Sequence, residues 1–324
     1  MKRIEFVAAL SAFLIVIVTF SNIADAASES ENDEQKAVLI TGASSGIGLK
    51  MAKLMAANGH FVYAGARKQK DLDALNAIDN VQAIRLDVTK QDEIDAAVET
   101  VKEGGRGLYA LVNNAGVYIG GPLIEVDVEE FKWLMDVNVN GVYRMTQAFA
   151  PMIIEQKGRI TTVGSIAGIL TGQFSGQYSM SKHAIEAYTD ALAIEMARFD
   201  VKVSVIEPGN YKSKIALSAG ARMLDKDYVK EGSSYAEEVK GMQARMTDRG
   251  QYKEPDEVAE AAMHALFDPA PKNRYLVVPN QEEAGWTIGR QMQELVELNE
   301  GHTYSYSRDQ LVEMLDAMMN PKTE

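Results

Sequence analysis

The stretch Thr41–Gly48, TGASSGIG, decides how the rest of the chain is read. It follows AVLIT (residues 37–41), a short β-branched run that reads as a buried strand, and it opens a helical stretch that lasts to Asn58-Gly59. Strand, glycine turn and helix in that order have a physical use. Gly42, Gly46 and Gly48 permit a tight turn, a close approach to the backbone and tight contact of helix with strand. The helix start presents free N–H groups and positive partial charge, a seat for a pyrophosphate. A glycine-rich turn with no ligand is the competing reading, and the flanking strand and helix favour a dinucleotide.

Outward from that turn the chain alternates. Further strands read as FVYA (61–64), VQAIRLDV (81–88), LYALVN (108–113), GRITTVGS (158–165), VKVSVIEP (201–208) and RYLVV (274–278). Helices are expected over Thr89–Lys102, Asp127–Pro151, Gly176–Phe199 and Pro255–Phe267, the first two with acids in their first turns. Alternation of this kind implies parallel βαβ units, an α/β fold with a doubly wound seven-stranded parallel sheet in a single domain. Residues 211–252 break the alternation. They are helical in pattern, rich in methionine and charge, and read as an insertion. A catalytic domain over 36–280 and a helical tail over 281–324 complete the organisation.

Composition narrows the function. The 324 residues carry a net charge of −13, and the sequence pI is near 4.9, so nucleic acid is not an expected partner; phosphate backbones need a basic face. Cysteine is absent, which excludes disulfides, thiolate metal sites and cysteine nucleophiles. The four histidines lie far apart in sequence, so no metal site is expected. Residues 1–26 differ in kind. A basic MKR, an apolar run from Phe6 to Phe20 and the small-residue site Ala24-Asp25-Ala26 read as a signal peptide or N-terminal anchor. Residues 27–35 read as a polar linker. The expectation is a catalytic domain that is exported or membrane-anchored, on the non-cytoplasmic side.

YSMSK (178–182) is the second informative stretch. On a helix, Tyr178 and Lys182 share a face. A free phenol ionises near pH ~10, and a neighbouring cation favours the phenolate, which would make Tyr178 useful for proton transfer.

TGASSGIG, Asp87-Val88, NNAG (113–116), NVNG (138–141), Ser165, Tyr178 with Lys182, and Pro208-Gly209 together resemble the short-chain dehydrogenase/reductase family, in the family's order and from about residue 36 to 279. The nearest branch is that of the retinol and hydroxysteroid dehydrogenases, through VSVIEPGNYKS (203–213). The resemblance implies a Rossmann-type fold and hydride transfer between a nicotinamide cofactor and an alcohol or carbonyl substrate, possibilities for the latter including lipophilic ones. It casts Tyr178 as proton donor or acceptor, Lys182 as the cation that lowers its pKa and binds the ribose hydroxyls, Ser165 as the hydrogen-bond partner of the reacting oxygen, and Asn138 as holder of a water linked to Lys182. Ser165 and Tyr178 would thus bind substrate. Cofactor contacts are implied for Gly42, Ser44, Ser45, Gly46, Ile47, Gly48, Asp87, Val88, Asn113, Ala115, Gly116, Pro208, Gly209 and Ser213, the last standing where the family usually has threonine. His183 is expected to pack rather than act as a base.

The cofactor expected is NADP(H) rather than NAD(H). An NAD enzyme places an acid about 20 residues past the glycine turn; here Ala66 stands there, followed by Arg67 and Lys68, which suit a 2′-phosphate. Ser45 occupies a place where many NADP members carry a base. Leu217, Met223, Leu224, Tyr228, Met242 and Met246 either line an apolar pocket or form ordinary helix contacts. The helices Asp127–Pro151 and Gly176–Phe199 resemble those through which the family forms homodimers or homotetramers. A nucleotide-binding regulator or sensor without turnover is the second reading of the same fold, and an exported binding protein with a vestigial site the third; the intact Ser165, Tyr178 and Lys182 set favours an enzyme.

Overall fold

The computed structural model describes residues 35–320 apart from 227 and 229. The described residues from Lys36 onward form one compact unit. The apolar N-terminal run and its A-x-A site lie outside the described residues.

The seven strands are β1 (Ala37–Ile40), β2 (Phe61–Ala66), β3 (Val81–Arg85), β4 (Ala110–Asn113), β5 (Arg159–Val163), β6 (Lys202–Pro208) and β7 (Arg274–Val277). They form one sheet in the order β3-β2-β1-β4-β5-β6-β7, with every neighbouring pair parallel. Both faces are covered, which is why β1 is apolar throughout. Its Val38 and Ile40 enter a core formed with helices α1 (Gly46–Ala57) and α9 (Asp256–Phe267) through Met51, Met55, Val258 and Leu266. Ala37 and Leu39 point the other way, into a core with Ile94 and Val101 of α3 (Gln91–Glu103) and Phe149 and Ile153 of α5 (Gly141–Glu155).

Two helices differ from expectation. A short helix α2 (Gln69–Asn76) follows β2 and escaped the sequence reading; it buries only Leu72 and Leu75, too short a run for a 3.6-residue period to show. The single helix expected over Asp127–Pro151 is instead α4 (Val128–Met135), a π-helical turn at Asp136–Asn140, and α5, which continues past Pro151 to Glu155. A π turn adds a residue to the helical ring and re-aims the side chains within it, and such turns gather at functional sites. Here it directs Asn138 at the chain leaving β4.

Helix α6 (Gly176–Met196) crosses between β5 and β6. The insertion consists of α7 (Lys214–Asp225) and α8 (Ala236–Thr247), and the tail of α10 (Gln281–Asn299) and α11 (Arg308–Met319). Met223, Tyr228, Met242 and Met246 of the insertion are buried together with Ile119 and Leu134 in a third apolar cluster. Leu217 and Leu224 face solvent, at 43% and 68% exposure. None of the six lines the main cleft, so the pocket reading does not hold, and the contact reading holds for the four buried residues.

Candidate active site at the switch point of the sheet

Strand order reverses between β1 and β4, and a crevice opens beyond the strand ends at such a reversal. A cleft of about 430 Å³ lies there. Its floor is built by the turn after β1. Gly42 and Gly46 have φ of +65° and +54°, which only glycine adopts without strain. A methyl on Gly48 would come within 2.5 Å of the Gly42 carbonyl oxygen and of the Asn114 amide nitrogen. The turn is held to the end of β4 by Thr41, whose Oγ1 accepts the N–H groups of Asn114 and Ala115, both at 2.9 Å. The Asn114 side chain returns a bond to the Thr41 carbonyl at 2.8 Å.

Asn114 and Thr41 were missed by sequence reasoning, although Asn114 lies inside the NNAG run. Asn113 was expected at the cofactor and is turned away. It is 2% exposed and donates to Thr146 of α5 at 3.1 Å. The pleat of a strand sends successive side chains to opposite faces, so only one of the two asparagines can line the cleft, and it is the second.

The wall opposite the glycine turn comes from β5 and α6. Ser165, just past β5, and Tyr178 and Lys182 of α6 line the cleft together. Ser165 Oγ accepts the Ala167 N–H at 3.1 Å, which fixes the side chain. Lys182 Nζ donates to the Val163 carbonyl at 2.8 Å and lies 5.7 Å from the centre of the Tyr178 ring. Tyr118 leans on that ring, centroid to centroid 4.8 Å, and hydrogen-bonds Ser175 at 2.8 Å.

The expected lowering of the Tyr178 pKa by Lys182 is not what this geometry produces. Burial pushes the phenol up to about 12, against the pull of a hydrogen bond with Ser165. Burial also draws Lys182 down to about 8, against the Glu186 carboxylate one turn along α6. Desolvation disfavours the charged form of each group and outweighs the Ser165 hydrogen bond at Tyr178 and the Glu186 carboxylate at Lys182. Tyr178 is therefore a protonated phenol at neutral pH, the form that donates.

Asn138 stands behind the cleft wall rather than in it. Its Oδ1 accepts the Val117 N–H at 2.8 Å, and its Nδ2 donates to the Val117 carbonyl at 2.9 Å and to Ser181 Oγ at 3.0 Å. It braces the strand-four loop against α6 and makes no bond to Lys182. His183 is also off the cleft, its Nδ1 at 2.9 Å from the Ser179 carbonyl.

At the far end Arg67, Lys68, Lys70, Asp87 and Val88 line the cleft. Asp87 accepts from the Thr89 backbone at 3.0 Å and from its hydroxyl at 2.8 Å, and Arg67 stands 3.5 Å away. Burial alone would raise the Asp87 carboxyl; the Thr89 bonds and the Arg67 charge outweigh it and hold the group below its ordinary range. Pro208, Gly209 and Ser213 close the remaining side. Their loop is gripped from the tail, where Glu283 in the first turn of α10 accepts the Asn210 N–H at 2.8 Å. Nothing near Glu283 in sequence signals this contact, since 73 residues separate the partners.

A parallel sheet whose switch point carries a glycine cradle at a helix start, with a protonated phenol and a buried ammonium across from it, defines a dinucleotide-dependent oxidoreductase acting on alcohol or carbonyl groups. Residues 36–223 match the short chain dehydrogenase family, and the chain belongs to that family. It is 33% identical to the mitochondrial D-beta-hydroxybutyrate dehydrogenase of Mus musculus over 79% of each chain, and 32% identical to retinol dehydrogenase 16 of the same organism over 78% of this chain and 81% of that one. The latter likeness places the chain near the retinol and hydroxysteroid branch. A short chain dehydrogenase/reductase from Burkholderia phymatum, solved in complex with NAD, superposes with a TM-score of 0.70 at 25% identity, covering 85% of this chain and 98% of that one. Among the described residues no group of three His, Asp or Glu side chains is placed to hold a metal ion, and no helix is long and apolar enough to cross a membrane.

Proposed function

We propose that the protein transfers hydride between NADP(H) and a lipophilic alcohol or ketone, with Tyr178 as the proton donor in reduction and acceptor in oxidation. The observation that carries this reading is the convergence of Ser165, Tyr178 and Lys182 on the cleft whose floor is the glycine turn. The residues fit the cofactor: Gly42 and Gly46 take φ of +65° and +54°, and side chains at Gly42 or Gly48 would strike Ala115, Asn114 and the Gly42 carbonyl, so glycine lets the turn close tightly at the start of α1, where free N–H groups suit a pyrophosphate. Gly42, Ser44, Ser45, Gly46, Ile47 and Gly48 would hold the phosphates, Asp87 and Val88 the adenine, and Ala115, Gly116, Pro208, Gly209 and Ser213 the nicotinamide half. When bound, the nicotinamide supplies or takes the hydride. Ser165 orients the substrate oxygen and stabilises charge developing on it. Tyr178 gives its proton to that oxygen. Lys182, held by the Val163 carbonyl, keeps a positive charge beside the phenolate that remains.

NADP(H) is favoured by Arg67 and Lys68 just past β2, by Lys70 in the first turn of α2, and by the absence of an acid at Ala66. The lipophilic substrate is favoured by Tyr118, Val117, Trp133, Ile215 and Ala219 along the cleft wall. Purified protein should consume NADPH with medium-chain ketones or aldehydes, read by loss of absorbance. No consumption of either reduced cofactor across the panel would refute the assignment.

Self-association through α5 and α6 belongs to the same proposal. Tyr143, Met180 and Ile194 on these helices are more than half exposed, at 58%, 51% and 79%, and apolar side chains in such a position gain from a second copy. Light scattering at micromolar concentration should report a dimer or tetramer, and a monomer alone would count against it. The catalytic unit is proposed to lie on the non-cytoplasmic side, from the N-terminal segment. N-terminal sequencing of protein from fractionated host cells should find a chain starting at Ala27, or an intact Met1 in membranes; an intact chain wholly in soluble cytoplasm defeats both.

A further inference from the structure

The cleft has a cation that the hydride chemistry does not use. Arg222, on α7, lines it beside Trp133. Trp133 belongs to the apolar cluster that also contacts Tyr118 and Tyr178, so Arg222 stands at the substrate end rather than among the basic residues after β2. A guanidinium in that place is what an acidic substrate would require, since its planar fork matches a carboxylate with two parallel hydrogen bonds.

That fork is already filled from within the chain. Glu130 of α4 takes both bonds, Nε to Oε2 at 2.5 Å and Nη2 to Oε1 at 2.9 Å. Tyr228 donates to the same carboxylate at 2.5 Å, and the guanidinium carbon lies 3.7 Å from the centre of the Trp133 ring. Glu130 is 9% exposed. Burial alone would raise its carboxyl, but the bonds from Arg222 and Tyr228 outweigh this and hold it below its ordinary range. An internal carboxylate thus takes the paired bonds that a substrate carboxylate would seek from Arg222, and the two charges cancel at the chamber wall.

We infer that Glu130 determines specificity: by occupying Arg222 it neutralises the Arg222 wall of the substrate chamber, so the enzyme accepts neutral ketones and alcohols and rejects those bearing a carboxylate. This rests on the function proposed above and adds the charge class of the substrate. Glu130 acts through Arg222 and touches neither substrate nor cofactor, so it is a positioning residue.

The test compares methyl ketones with the same ketones carrying a terminal carboxylate, by kcat/KM with the cofactor saturating. Wild type should favour the neutral member of each pair. Glu130→Gln keeps the shape but removes the charge, leaving Arg222 available. The ratio of carboxylate to neutral kcat/KM should rise about tenfold or more, the scale of one charge-assisted hydrogen bond, with the change in KM rather than kcat. Adding Arg222→Gln to that variant should remove the gain, which a merely structural role of Glu130 would not do. If Glu130→Gln does not fold, as circular dichroism would show, Arg222→Gln alone carries the test. With Glu130 left unpaired, the same ratio must fall below that of wild type. A ratio that stays constant in the folded variants, or a wild type that prefers the carboxylates, overturns the inference while leaving the proposed reaction intact. Failure of wild type to reduce any carbonyl compound overturns the proposed reaction, and this inference with it.

Discussion

Tyr178→Phe should lower kcat by about 10²–10⁴-fold, the usual contribution of a positioned proton donor. Only the hydroxyl is lost. The ring keeps its contact with Tyr118, and Lys182 keeps its bond to the Val163 carbonyl, so affinity for the cofactor should be nearly unchanged. Calorimetric titration with NADPH beside steady-state kinetics separates the two quantities. The burial that raises the phenol to about 12 sharpens the expectation. A group protonated across the whole neutral range donates in reduction without first having to gain a proton. In oxidation it must lose one at a cost, which the hydrogen bond with Ser165 and the charge on Lys182 are placed to offset. If the purified variant kept more than about a tenth of wild-type kcat, another group would be the acid.

Arg67→Asp should change the choice of cofactor rather than the chemistry. Arg67 is largely open to solvent, with 58% of its side chain exposed, and its ion pair with Asp87 is long at 3.5 Å. It is free to turn to a phosphate. A charge-assisted hydrogen bond to phosphate contributes ~1.5–3 kcal/mol, so its loss should raise the Kd for NADPH by roughly 10- to 100-fold. The carboxylate put in its place would repel the 2′-phosphate and would suit a ribose 2′-hydroxyl. NADH affinity should therefore hold or improve. Equal changes for the two cofactors would remove the basis for NADP(H), and the assignment would revert to an unresolved choice between the two.

Thr41–Gly48 and Tyr178–Lys182 were legible because each is a local device. A glycine turn between strand and helix, or a phenol and ammonium one helical turn apart, depends on residues within a single element and its neighbour, and the order of elements then dictates a parallel sheet with a switch point beside β1. Of the residues expected at the cofactor, the local turn and its helix start all reach the cleft. Asn113 failed because strand and loop meet there, and only the pleat of β4 decides which asparagine faces inward. The surroundings of Asn138 were hidden for a related reason: a helix was expected without its π turn, and the turn aims the side chain at Val117.

The amino-acid order by itself thus determined the fold class, the nucleotide turn and the candidate proton donor, since these follow from spacing along the chain. It could not determine quantities set by distant residues coming together. The pKa of Tyr178 depends on how completely Tyr118 and the third apolar cluster enclose it, and that enclosure reversed the shift expected from Lys182 alone. Glu130 meets Arg222 across 92 positions, and Glu283 meets Asn210 across 73. Burial and charge pairing at such separations arise only when helices pack on the sheet, because desolvation and Coulomb attraction act through space and take no account of position in the chain.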